Sequence, residues 1–137
     1  MPELPEVETV RRGLADLLPG QAIVRATVFD SPKSFPNSPT DVQQFLYGAH
    51  VTAVRRRAKV LMIDLDTRYS LVIHLKMTGQ LIFRGANSFA GGHPNDSLIG
   101  ELPDRSTRVQ IDFTDGSRLF FNDQRKFGWM KLMPTDE

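Results

Sequence analysis

Residues 108–121 read Arg108-Val109-Gln110-Ile111-Asp112-Phe113-Thr114-Asp115-Gly116-Ser117-Arg118-Leu119-Phe120-Phe121. Val109, Ile111 and Phe113 alternate with polar residues, the period of a strand with one face buried. Asp115-Gly116 supplies the residue pair that a tight turn favours, and a second apolar run follows. The stretch is an antiparallel hairpin. Outward from it the short-strand signal recurs at 22–29, 51–57, 59–65, 70–75, 80–84 and 128–132, with another turn expected around Asp66-Thr67-Arg68. Strands in this number after a single helix favour an antiparallel sandwich or barrel over a parallel α/β sheet.

The helix comes first. Leu4, Val7, Val10, Leu14 and Leu17 recur at spacings of three and four, which predicts a helix over about residues 3–18. Glu3, Glu6 and Glu8 lie where the positive end of the helix dipole favours acids, Pro5 suits a first turn, and Pro19-Gly20 ends the element. Two segments read as loops. Eight of the ten residues in 31–40 are Ser, Thr, Pro or Asn, and fourteen of the twenty-three in 85–107 are Gly, Pro, Ser, Thr, Asn or Asp. A loop as long as the second is usually functional or disordered.

A chain of 137 residues, 40% hydrophobic and 24% charged, fits one domain with a true core. It has no cysteine, so disulfides, thiolate metal sites and a cysteine nucleophile are excluded within it. No apolar run reaches the roughly 18 residues of a membrane span, and the acidic start is unlike a secretory signal. An intracellular soluble domain is the expectation. The net charge of +1 conceals an uneven distribution. Between Asp41 and Asp96 seven cations (Arg55, Arg56, Arg57, Lys59, Arg68, Lys76 and Arg84) face only Asp64 and Asp66. Twelve of the 17 cations are Arg, the residue suited to bidentate phosphate contact. Such a basic middle suits a polyanion, although solvated strand faces would look the same.

Four stretches can carry chemistry. Removal of Met1 leaves Pro2 as a free secondary amine with a reference pKa of about 7.7–8.0, far below lysine, so an unprotonated fraction exists near neutral pH. Such an amine can attack an aldehyde-level carbon and form a cationic iminium, an electron sink that permits elimination. Glu3 beside it could give or take a proton. The plainer reading, that Pro and Glu are ordinary first-turn residues, stays open. Arg55-Arg56-Arg57-Ala58-Lys59 in a strand would set Arg55, Arg57 and Lys59 on one face to track phosphates, or would merely blunt an edge strand. His74-Leu75-Lys76-Met77-Thr78-Gly79-Gln80 ends an apolar strand; alone, His74 reads as a satisfied polar residue and Met77 as core. Asn122-Asp123-Gln124-Arg125-Lys126-Phe127-Gly128 mixes cations, amides and an aromatic between strands, as residues that replace an extruded base do.

PELPEVETVRRGL from Pro2, RRRAK ending at Lys59, HLKMTGQL from His74 and NDQRKFG from Asn122 together resemble the bacterial formamidopyrimidine-DNA glycosylases, in order along essentially the whole chain. The resemblance implies a mainly β fold, a β-sandwich of two antiparallel sheets with flanking helices, and a bifunctional base-excision repair enzyme. Such enzymes remove oxidised purines such as 8-oxoguanine and formamidopyrimidines, then cut the strand by β,δ-elimination. By position, the resemblance makes Pro2 the Schiff-base nucleophile at C1′ and Glu3 the proton donor and acceptor around the deoxyribose. Lys59 is the basic residue for phosphate contact and proton transfer. Met77, Arg125 and Phe127 fill the space of the flipped nucleotide, and His74 contacts the DNA backbone. Arg57 and Arg108 are further candidate DNA contacts.

Two departures stand out. Arg105-Ser106-Thr107-Arg108 replaces the family's Lys-His-x-His, and Asp123-Gln124-Arg125-Lys126-Phe127-Gly128 replaces Asp-Pro-Arg-Arg-Phe-Gly, losing a proline. Residues 1–137 correspond to the N-terminal catalytic domain, with the family's helix–two-turn–helix and zinc-finger domains outside the chain. The expectation is therefore no metal or cofactor within it, and little or no repair activity from it alone. Its expected partner is double-stranded DNA with oxidised or abasic sites and not a membrane, for a monomer in the bacterial cytoplasm at the nucleoid. The competing readings are a damaged-DNA-binding module without chemistry, an endonuclease VIII-like glycosylase of oxidised pyrimidines, and a purely structural domain.

Overall fold

The computed structural model describes residues 3–29 and 32–136, so Pro2 lies outside the described residues. Helix α1 (Leu4–Leu17) has a proline in its first turn and buries Val7, Val10 and Leu14. Leu18 is buried just beyond it, whereas Leu4 stays exposed. Among the described residues nine strands follow: β1 (Ile23–Val28), β2 (Val51–Arg57), β3 (Val60–Leu65), β4 (Tyr69–His74), β5 (Gly79–Arg84), β6 (Phe89–Gly92), β7 (Thr107–Phe113), β8 (Arg118–Asp123) and β9 (Trp129–Pro134). They form two sheets, ordered β1-β7-β8-β5-β6 and β2-β3-β4-β9, and every pairing is antiparallel. The fold is mainly β, a sandwich.

Alternation builds the core. Leu61, Ile63, Leu71, Ile73, Met130 and Leu132 from the four-stranded sheet meet Leu81, Phe83, Val109, Ile111, Leu119 and Phe121 from the other in one cluster with Val7, Val10 and Leu14. The hairpin at 108–121 forms where the sequence places it, with Gly116 at φ +89° in its turn. The turn at Asp66-Thr67-Arg68 likewise joins β3 to β4. Helix α1 packs on β2 and β6, edge strands of different sheets, and so closes one open side of the sandwich.

Three expectations need correction. Residues 85–107 are not one loop, because they contain β6 and a 3₁₀ turn at Asp96–Leu98. Strand β6 exists because two glycines permit close packing on the helix. A Cβ on Gly13 would lie 2.3 Å from the Phe89 ring, and one on Gly91 would lie 2.7 Å from Val10. The rest of the segment covers the outer face of the five-stranded sheet. Gln80 donates to the His93 carbonyl at 2.6 Å and to Asn95 at 2.7 Å, while Arg84 reaches the Leu98 carbonyl at 3.3 Å. Between them Ile82 and its cross-strand partner Phe120 are fully buried outside the main core. Residues 31–40 likewise run into a second helix, α2 (Pro39–Phe45), whose N-cap Ser38 accepts from the Asp41 N–H at 3.2 Å. Finally, Lys59 is not a strand residue: Ala58 (φ +51°) and Lys59 form the turn between β2 and β3, which breaks the alternation that would align Lys59 with Arg55 and Arg57.

Candidate nucleic-acid interface

The end of the four-stranded sheet nearest the β2–β3 turn gathers residues from four distant segments. Glu3 is the N-cap of α1, in extended conformation, yet its side chain makes no capping hydrogen bond. It faces Lys59 instead, with Nζ 3.4 Å from Oε1. Both side chains are well exposed, and such a pair is worth only ~0–1 kcal/mol, so an incoming ligand can open it. Glu8, one turn further along, receives hydrogen bonds from Arg11, Arg12 and Arg56. The Arg11 and Arg56 guanidinium groups hold its carboxyl far below the ordinary carboxylate range. The Glu8–Arg56 bond at 2.8 Å ties the helix to β2 and so fixes where Glu3 lies relative to Lys59.

The triple arginine divides by this geometry. Arg56 turns inward to Glu8, and Arg55 pairs with Asp64, Nη2 donating at 2.9 Å to Oδ1. Burial opposes the charge on Asp64, and hydrogen bonds from Arg55 and Ser70 outweigh it, leaving that carboxyl below its usual value. Arg57 is exposed and forms no ion pair among the described residues. The basic middle of the chain is therefore partly neutralised; among the described residues Arg57 and Lys76 form no ion pair, and Lys59 has only the exposed Glu3.

His74 ends β4 opposite Trp129, with ring centroids 5.9 Å apart. Its Nδ1 accepts the Lys76 N–H at 3.0 Å, so in the neutral ring the proton sits on Nε2, which remains a donor. Burial, then the charges of Lys76 and Lys59, push its pKa below 6.5. The ring is thus neutral at physiological pH. Lys59, His74, Lys76, Met77 and Phe127 together line an open groove of about 580 Å³.

Met77 sits on the turn after β4, and Arg125 and Phe127 on the turn after β8, yet the three meet. Arg125 Nη1 lies 3.8 Å from Met77 Sδ, and its guanidinium stands 5.1 Å from the Phe127 ring centre. Met77 is 40% and Phe127 54% exposed, large apolar groups turned to solvent beside cations. Apolar groups exposed together beside cations make this a candidate binding surface. Arg108 lies elsewhere. It is the extra residue of a bulge between Thr107 and Val109, only 6% exposed, and its Nε donates to the Asp123 carbonyl at 2.8 Å beneath the Arg125 turn. With Arg105, Ser106 and Gln124 it lines a second cavity of about 420 Å³.

Residues 1–130 match the model of the formamidopyrimidine-DNA glycosylase N-terminal domain. The chain belongs to this family. It is 45% identical over 137 residues to the formamidopyrimidine-DNA glycosylase of Jannaschia sp. and 43% identical over 134 residues to that of Paracoccus denitrificans, covering 98% of this chain and 46% of each relative. The chain thus spans about half the length of the curated relatives it matches. Among solved structures, the Lactococcus lactis Fpg bound to an oxidised-pyrimidine DNA superposes with a TM-score of 0.79 at 29% identity, over 98% of this chain and 45% of that one. The complex of L. lactis Fpg with an abasic-site DNA gives 0.78 at 28%, covering 98% and 44%.

Within this family domain, Glu3, Lys59, His74, Met77, Arg125 and Phe127 converge at one end of the sandwich, with Arg57 at the adjoining end of β2. Two residues to which the sequence alone assigns no role, Thr78 and Asp123, are buried between the Met77 and Arg125 turns. Their signal was available as polar residues at strand ends next to apolar runs, where a strand should turn to solvent. Among the described residues no helix is long and apolar enough to cross a membrane.

Proposed function

We propose that this chain is the nucleophile-bearing half of a formamidopyrimidine-DNA glycosylase, a base-excision repair enzyme acting on duplex DNA with oxidised purines or abasic sites. The observation that carries this reading is the convergence around one groove, lined by Lys59, His74, Met77 and Phe127, of Glu3 paired with Lys59 and of Arg125 against Met77 and Phe127. Acid, cation, backbone donor and wedge are what extrusion of a nucleotide and chemistry on its sugar require.

In the proposed sequence the Pro2 nitrogen donates its lone pair to C1′. The C1′–N9 electron pair departs with the purine, which takes up the proton that the Pro2 nitrogen gives up. Glu3 then protonates O4′ as the ring C1′–O4′ bond opens to the iminium. Loss of a C2′ proton sends electrons into that sink, and the 3′ phosphate leaves by β-elimination; a second elimination expels the 5′ phosphate. Water finally releases the amine. Lys59 and the His74 Nε2–H are suited to phosphate oxygens, the lysine as a point charge and the histidine as a neutral donor. Arg125 offers its guanidinium to the base left unpaired.

Borohydride reduction with an abasic-site duplex, followed by tryptic mapping, tests the nucleophile. A covalent adduct on the peptide of residues 2–11, persisting in Lys59→Ala, is expected. An adduct on a lysine side chain instead would remove Pro2 from the mechanism.

A further inference from the structure

The two turns that carry the exposed trio are joined through one buried carboxylate. The β5–β8 ladder ends at the pair Gly79–Asp123, and beyond it side chains take over the bonding. Asp123 has no solvent exposure. Its Oδ1 accepts from the Thr78 hydroxyl and its Oδ2 from the Gly128 N–H at 2.6 Å. Its carbonyl accepts from Arg108 Nε at 2.8 Å, and its own N–H donates to the Ser106 carbonyl at 2.8 Å. Thr78 Oγ1 in turn accepts the Arg125 N–H at 3.1 Å. Every polar group of Asp123 is therefore engaged. Through it, the residue after Met77 is linked to the backbone of Arg125 at one end of the second turn and of Gly128 at the other.

We propose that Thr78 and Asp123 are positioning residues that hold Met77, Arg125 and Phe127 preformed, and thereby set the preference for abasic over intact duplex. The inference rests on the reading of that trio as the group filling the space of an extruded nucleotide. Its physical basis is preorganisation. Apolar side chains on loosely held turns would have to be ordered on insertion, and that cost weakens binding. The cost falls only on the complex in which the trio is inserted. Binding to intact duplex depends on phosphate contacts, which these buried groups do not make.

The test compares the 137-residue protein with Thr78→Val, which keeps the shape but loses the hydroxyl, and Thr78→Ser, which restores it. Affinities are measured at low salt for a duplex holding a tetrahydrofuran abasic analogue and for the same duplex intact. Thr78→Val is expected to reduce the preference about tenfold, the scale of one lost buried charge-assisted hydrogen bond, with intact-duplex affinity unchanged and Thr78→Ser close to wild type. Asp123→Ala, which loses both the Thr78 and the Gly128 bonds, should act in the same direction. Amide hydrogen exchange on the free protein supplies an independent reading: the Arg125 and Gly128 amides should exchange faster in Thr78→Val, while those of Leu71 and Ile73 hold. A wild-type preference that survives Thr78→Val, or slow exchange at both amides in that variant, overturns the positioning role alone. A wild type that does not prefer the abasic duplex overturns the wedge reading itself, and the inference with it.

Discussion

His74 shows how much of this interface is decided by a single side chain's surroundings. A histidine between two lysines and a tryptophan is kept neutral by burial first and by like charges second. With its folded pKa below the ordinary 6.5, the native protein binds fewer protons than the unfolded chain between those two values, so stability rises with pH there. The contribution is complete above the unfolded pKa and is lost as pH falls toward the folded one. Thermal unfolding followed from about pH 5 to pH 7 should show a shallower pH slope for His74→Gln than for the wild type; equal slopes would mean that His74 titrates as it does in the open chain. Individual residues were legible from sequence in proportion to their exposure. Glu3, Lys59, Arg125 and Phe127 are of types that carry chemistry, whereas Met77 reads alone as core and takes its role from the family resemblance; Lys59, Met77 and Phe127 line the groove, with Glu3 and Arg125 alongside. Arg108 resembled a surface cation, but the bulge swings it beneath a turn, and nothing in a run of letters marks a bulge. Lys59 was read as strand because the turn before it is a plain Ala58, adopting a positive φ that sequence would assign to glycine.

Elements were recoverable wherever one face was dry and the other wet. The hairpin at 108–121 and helix α1 obey period alone. Helix α2 was hidden by a tally of turn-forming residues, although Ser38-Pro39-Thr40-Asp41 holds an N-cap, a first-turn proline and an acid at the third position. Strand β6 was hidden more deeply, since Gly91 and Gly92 read as loop until Val10 is seen pressed against one of them. Glycine there answers to a neighbour remote in sequence. The turn between β8 and β9 is held in the same way. A Cβ on Gly128 would lie 2.7 Å from the His74 carbonyl and 3.0 Å from the Asp123 carboxylate. Gly128→Ala should therefore cost about 1–3 kcal/mol through overpacking, seen as a lower denaturant midpoint with unchanged slope. An unaltered midpoint would show that the turn can yield.

At the scale of the molecule, charge near zero coexists with a charged working surface because acids are spent internally. Asp64 answers Arg55, and Glu8 answers Arg56, which leaves Arg57, on the outer face of β2, with no ion pair among the described residues. If Arg57 meets a phosphate, Arg57→Ala should weaken binding equally for abasic and intact duplexes and reduce the slope of log affinity against log salt by about one. Titrations of both duplexes over a range of potassium chloride would show this, and an unchanged slope would place Arg57 off the DNA path.

The helix that seals the sandwich is also the one whose first residues approach Lys59, so a single rigid rod joins packing to reactivity. Trimming Val10 or Leu14 in the hydrophobic interior would let that rod tilt, and the displacement would be felt at its far tip as a misaimed acid. Inherited or engineered changes deep in the core can thus masquerade as lesions of the chemistry, leaving every reactive group in place and the reaction stalled.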